Sequence, residues 1–103
     1  MYARTTRYEG GEAGEIRDFV AEMAGRAEEG PPEGVPSVGF QLLTNPDEGT
    51  MLFIGFFETE DDLKQGDKAL REMEMPRPVP GEHVSVDFYE VGIKVEAPAG
   101  SAG

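Results

Sequence analysis

His83 is the only histidine in the chain, and so the one side chain whose ordinary pKa lies near neutrality. It can act as a general base; equally, between Glu82 and Val84 where a loop meets a strand, it reads as a solvated residue. Ser85, Asp87 and Tyr89 follow it at two-residue spacing, which places all four on one face of an extended segment. A carboxylate such as Asp87, held in an apolar pocket, has a raised pKa and can take a proton from a phenol or an enol. The same face laid against a second chain would instead pack Tyr89 and pair Asp87 with a base. Arg4 lies in an extended segment with one buried face, where a guanidinium either orients an anionic or phenolate group or pairs with an acid across the sheet. Phe40, Phe53, Phe56 and Phe57, with Met23, Met51 and Met73, suit the lining of an apolar cavity or a plain core.

Composition removes several alternatives. The 103 residues suffice for one domain, and no cysteine is present for a disulfide, a thiolate metal site or a thiol nucleophile. A single histidine excludes a poly-histidine metal site within one chain. The acidic runs, such as Glu58 to Asp62, stay solvated and cap a helix, so no metal is assigned. With 21 acids against 9 bases, the net charge of −12 repels phosphate, and no nucleic-acid partner is expected. No apolar run approaches the roughly 20 residues of a membrane span, and the N-terminus has no basic-then-apolar leader pattern. The expected setting is therefore cytoplasmic, with no membrane contact.

These side chains are positioned by a regular alternation of elements. Residues 2–8 are rich in β-branched and aromatic types and predict a strand ending at Gly10-Gly11. Ile16, Phe19, Val20, Met23, Ala24 and Ala27 fall at helical spacing and predict a helix from about Ala13 to Glu28, stopped by Gly30-Pro31-Pro32. Val38, Phe40 and Leu42 alternate with small or polar residues as a second strand. Asn45 to Gly49 has turn chemistry, and Met51 to Phe57 is an apolar third strand. Thr59 with Asp62 resembles a capping box opening a second helix, which Pro76 ends. A fourth strand runs from about His83 to Val95, with a bulge expected at Gly92. Residues 1–96 form the single domain, and 97–103 read as a flexible tail.

The order β-α-β-β-α-β, with right-handed crossovers, gives an α+β ferredoxin-like fold: a four-stranded antiparallel sheet with two helices on one face. The other face is left bare. Either Met51, Phe53 and Phe57 or the alternating set Leu52, Ile54 and Phe56 would then meet water, and a second copy of the same sheet is the simplest cover. A homodimer is expected on this ground alone.

The segment Ile54-Gly55-Phe56-Phe57-Glu58-Thr59-Glu60-Asp61-Asp62-Leu63 resembles the third-strand-to-second-helix signature of the antibiotic biosynthesis monooxygenase family. Met1 to Thr6 and Ser85 to Val91 are similar to its small stand-alone members, so the likeness spans roughly residues 1–95. The resemblance implies a dimeric α/β barrel with a pocket between each monomer's helices and its sheet. Some members oxidise anthrones or hydroquinones with dioxygen and use neither metal nor flavin; others degrade haem. The haem degraders carry an Asn on the first strand, a Trp ending the third and a His on the second helix. Here Phe57 stands at the Trp position, no His lies between Leu63 and Met75, and Arg4 falls near the Asn.

The resemblance therefore implies oxidation of a small aromatic or quinol-like compound without a cofactor. His83 and Asp87 are its catalytic candidates, and Arg4, Phe40, Phe57 and Tyr89 its substrate-binding candidates. A non-catalytic dimeric barrel that binds a small apolar ligand is the competing reading, because no acid-base pair is fixed by the sequence.

Overall fold

Strand β1 (Tyr2–Glu9) runs through the interior of the sheet, hydrogen-bonded on one side to β3 (Thr50–Phe57) and on the other to β4 (Glu82–Glu90). Strand β2 (Gly39–Asn45) completes the order β2-β3-β1-β4, with every pairing antiparallel. Helices α1 (Ala13–Arg26) and α2 (Glu60–Glu72) are the two crossovers, and a short 3-10 turn, Ala27–Glu29, finishes α1. The computed structural model describes residues 1–73 and 78–95. Pro76 as a helix stop and the tail 97–103 lie outside the described residues. Among them, no helix is long and apolar enough to cross a membrane. The fold is the expected α+β ferredoxin-like βαββαβ arrangement.

Local chemistry explains the element boundaries. The Thr59 hydroxyl accepts from the Asp62 amide at 3.0 Å, as the capping pattern predicts. Helix α1 is capped by a residue the periodicity did not mark: Glu12 accepts from the amides of Gly14 (2.9 Å) and Glu15 (3.1 Å). Those backbone bonds hold the Glu12 carboxyl below its usual pKa. In the β2–β3 turn, Gly49 has φ +73°, and a Cβ there would lie 2.6 Å from the Gly11 carbonyl oxygen. Only glycine lets this turn press against the end of β1.

Register decides which residues each face presents. Tyr2, Arg4, Thr6 and Tyr8 share a face with Met51, Phe53, Gly55 and Phe57, and both helices cover it. The core there has two parts. Ile16 and Phe19 of α1 pack on Met51, with Tyr8, Leu42 and Phe53 beside them. Leu63 of α2 and Val35 pack on Phe57, with Tyr2, Ala69 and Leu70 around them. Helix α2 comes nearer the sheet than α1 does, because Gly66 is buried flat against the Phe57 ring. The uncovered face carries Leu52, Ile54 and Phe56, so of the two sets offered by the third strand it is this one that faces away from the helices.

Two expectations for β4 are corrected. The strand stops at Glu90 rather than Val95, because β1 begins at Tyr2, which pairs with Glu90 and leaves nothing beyond to pair with. The Val91 amide still reaches the Met1 carbonyl at 2.9 Å, but Ile93 and Val95 are exposed. The bulge lies at Val84 rather than Gly92: Arg7 pairs with Ser85, while Tyr8 pairs with His83. One residue is thus left over, and the parity of β4 reverses across it.

Candidate functional site

Across the middle of the covered face, Phe40, Gly55, Arg4 and Phe88 form one row, each paired with the next on four successive strands. The row falls between the two parts of the core. Its outer members, Phe40 and Phe88, keep about half their surface exposed at 55% and 47%, because the helices roof β1 and β3 more fully than the edge strands. Arg4 is recessed between them, its side chain 10% exposed.

A cluster of charged and polar groups fixes that guanidinium. Nε of Arg4 donates to Oδ1 of Asp67 on α2 at 2.9 Å, and Nη1 donates to the hydroxyl of Thr6 at 3.0 Å. Arg71, one turn along α2, donates from its own Nε to Oδ1 and Oδ2 of Asp67 at 2.8 and 3.0 Å. Burial, the largest single influence on Asp67, pushes its pKa up. The hydrogen bonds and charges of Arg4 and Arg71 together outweigh burial and hold the carboxyl below the usual aspartate value of 3.8. Asp67 is therefore an anion that organises two arginines and is poorly suited to taking a proton. Between α2 and β4, at the Phe88 end of the row, runs an open groove of about 270 Å³ lined by Tyr2, Leu63, Phe88 and Tyr89, with the carboxylates of Glu60 and Glu90 also on its wall; Arg4 adjoins it through its strand partner Phe88.

The depressed pKa gives a sign for acid stability. The Asp67 contribution is complete above the unfolded value near 3.8 and is lost as pH falls through the lower folded value. Asp67→Asn is expected to lower the urea midpoint at neutral pH, and the gap from wild type should close as the solution is acidified below 3.8. A gap that stays constant with pH would show that the ion pairs contribute nothing.

The sequence candidates are distributed rather than gathered. Arg4 and Phe40 both face the centre of the covered side. Phe57 lies on that side too, but its ring is fully buried against Val35 and Leu63. His83, carried across by the bulge at Val84, stacks edge-on with Tyr8 at 5.4 Å on the covered side. Asp87 and Tyr89 lie on the uncovered face, both exposed, where the Asp87 carbonyl accepts from the Thr5 hydroxyl at 3.5 Å. Strict alternation put His83 and Asp87 on one face; the extra residue places them on opposite faces.

Asp67, Arg71, Thr6 and Phe88 were not singled out by the sequence reading. Leu63 and Leu70 mark the inward stripe of α2, and Asp67 falls between them on that stripe. A charged residue at an inward helical position, matched by Arg4 at an inward strand position, was the available signal.

Solved structures share this fold. A crystal structure of an MhuD variant with two manganese protoporphyrin IX molecules bound per active site aligns at a TM-score of 0.63 and 19% identity, covering 94% of this chain and all of that one. A structure of the heme-degrader MhuD from Mycobacterium tuberculosis, with two hemes bound in its active site, aligns at the same score and identity over 91% and 99% of the two chains. The chain has the MhuD fold. At this identity the likeness to MhuD is one of fold, and that fold is the one expected from the resemblance in residues 54–63. No family model and no curated protein matches the sequence.

Proposed function

We propose that this chain is a cofactor-independent monooxygenase that oxidises a small phenolic or quinol-like aromatic compound on the covered face of its sheet. The observation that carries this reading is the row Phe40–Gly55–Arg4–Phe88, which sets a recessed guanidinium between two exposed aromatic rings. Arg4 lowers the pKa of a phenol or enol bound against it by favouring the anion, which reduces the demand for a strong protein base. In an anthrone-like substrate the resulting enolate gives an electron to dioxygen, the two radicals combine through a new C–O bond to a peroxide anion, and this takes up one proton from solvent, equal to the one lost in enolisation, to give C–OOH. Loss of the remaining C–H proton with cleavage of the O–O bond yields a ketone and water. One oxygen atom enters the product and the other leaves in water. His83 lies on this side of the sheet but pairs with Tyr8, four residues along β1 from Arg4 and about 13 Å away at strand spacing, so the proton of a phenol held at Arg4 passes to solvent, and Phe40 gives apolar support.

The Arg4 row offers haem iron no ligand, and the single histidine, His83, lies beside Tyr8 four residues away along β1. Helix α2 carries no histidine, and the side chain it offers to the site is Asp67, already held by two arginines. No step is therefore routed through a haem. The second reading, a binding module without catalysis, is favoured by a specific observation: His83 and Asp87 lie on opposite faces and do not form an acid-base pair.

Oxygen uptake separates the two. With an anthrone or a hydroquinone, the purified protein is expected to consume oxygen at a rate that saturates with substrate and falls about tenfold or more in Arg4→Gln. Background rates across a panel of such compounds would leave the binding module standing and remove the enzyme.

We also propose that a second copy of the chain covers the uncovered face. Leu52, Ile54 and Phe56 form its apolar centre, with Asp87 towards one side, so Asp87 would serve the interface rather than the site, while Tyr89 at the end of the strand also lines the groove.

A further inference from the structure

The charges around Arg4 do not cancel. Arg4 and Arg71 share the single carboxylate of Asp67, so the recessed cluster carries a net positive charge in a chain whose overall charge is −12. Arg4 also has donors to spare. Its Nε is taken by Asp67 and one Nη1 proton by Thr6, while Nη2 has no partner. Among the described residues no buried side-chain polar atom lacks a hydrogen bond, so this unpartnered Nη2 is in contact with solvent. A fixed, recessed guanidinium with a free, wetted edge is an acceptor site for one anionic oxygen group.

The surroundings specify what is attached to that group. Phe88 pairs with Arg4 on the neighbouring strand, so a planar apolar body lying over its ring enters the groove beside Leu63 and Tyr2. Two residues along, about 7 Å away at strand spacing, Glu90 pairs with Tyr2, and Glu60 of α2 stands on the same groove wall. These carboxylates repel a second negative charge at the far end of the ligand.

We infer that Arg4, with Asp67 and Arg71, forms a subsite that favours a planar aromatic monoanion over both its neutral analogue and its dianion. This rests on the reading that the covered face is the ligand site. Arg4 contacts the ligand; Asp67 is a positioning residue, and Arg71 sets the charge balance.

Calorimetric titration with three probes of one shape tests it: 2-naphthoate, 2-naphthamide and 2,6-naphthalenedicarboxylate. The monoanion is expected to bind about tenfold more tightly than either of the others. Arg4→Gln should erase that preference while leaving the amide unchanged. Should Arg4→Gln fail to fold by circular dichroism, Arg71→Gln decides, since that half-exposed side chain leaves the Arg4–Asp67 pair in place. It neutralises the cluster, so naphthoate should weaken severalfold and the amide should not. Equal affinity for all three probes, binding of none, or a preference that survives both substitutions would overturn the inference. The two proposals fail separately: anion preference without oxygen uptake removes the enzyme alone, and uptake without anion preference removes the subsite alone.

Discussion

Phe57→Ala is expected to lower stability by about 3–5 kcal/mol, a large share of the roughly 5–15 kcal/mol that holds a domain of this size together. The ring has no exposed surface and fills the space between β3, Leu63 and Val35. Gly66 makes the contact possible, since a Cβ at that position would lie 2.4 Å and 2.6 Å from two carbons of the Phe57 ring. Gly66→Ala gains about 1 kcal/mol in helix propensity but forces the packing apart, at about 1–3 kcal/mol. With Phe57 replaced by alanine the clash is gone, and Gly66→Ala should become neutral or stabilising. Urea unfolding of the four proteins in this cycle measures the coupling. Additive losses would mean that α2 is not seated on this ring.

If the proposed sheet-to-sheet pair forms, the wild type is expected to sediment as two chains and Ile54→Arg as one. Ile54 lies at the centre of the uncovered face, between Thr5 on β1 and Gln41 on β2. An unpaired charge there, repeated by the two-fold symmetry of a sheet-to-sheet contact, should weaken association by about a thousandfold or more. Because each chain carries −12, added salt should tighten the wild-type pair or leave it unchanged. A wild-type protein that sediments at 11.2 kDa, or a pair that survives the substitution, would refute the apolar contact.

The elements were legible because their periodicities are strong. The apolar spacing from Ile16 to Met23, the alternation in β2 and the Thr59 cap each named an element that the structure contains. Facing was harder. Met51 to Phe57 is apolar at every position, so alternation cannot say which side the helices take; the bulk of Phe57 under Gly66 decides it. In β4 a single extra residue reverses the parity, and the chemistry of His83 is separated from that of Asp87 by Val84, an ordinary valine with no local mark of a bulge. The site was half legible. Arg4 stood out as a charge in a strand, whereas its partner Asp67 is one of 21 acids in a chain where an acid attracts no notice. Only the three-dimensional stripe through Leu63 and Leu70 distinguishes it from the rest.

The divided core has a consequence for how the molecule opens. The apolar contacts of α1 and those of α2 meet the sheet in separate patches, with the ionic strip of Arg4, Thr6 and Asp67 lying between them. Unfastening Ile16 and Phe19 leaves every bond of Asp67 intact, so α1 can detach from the sheet as a unit while α2 stays clamped by its glycine contact and its ion pair. Amide protons of α1 should accordingly exchange with deuterium ahead of those of α2. The covered face is thus held by two separately seated halves rather than by one continuous core.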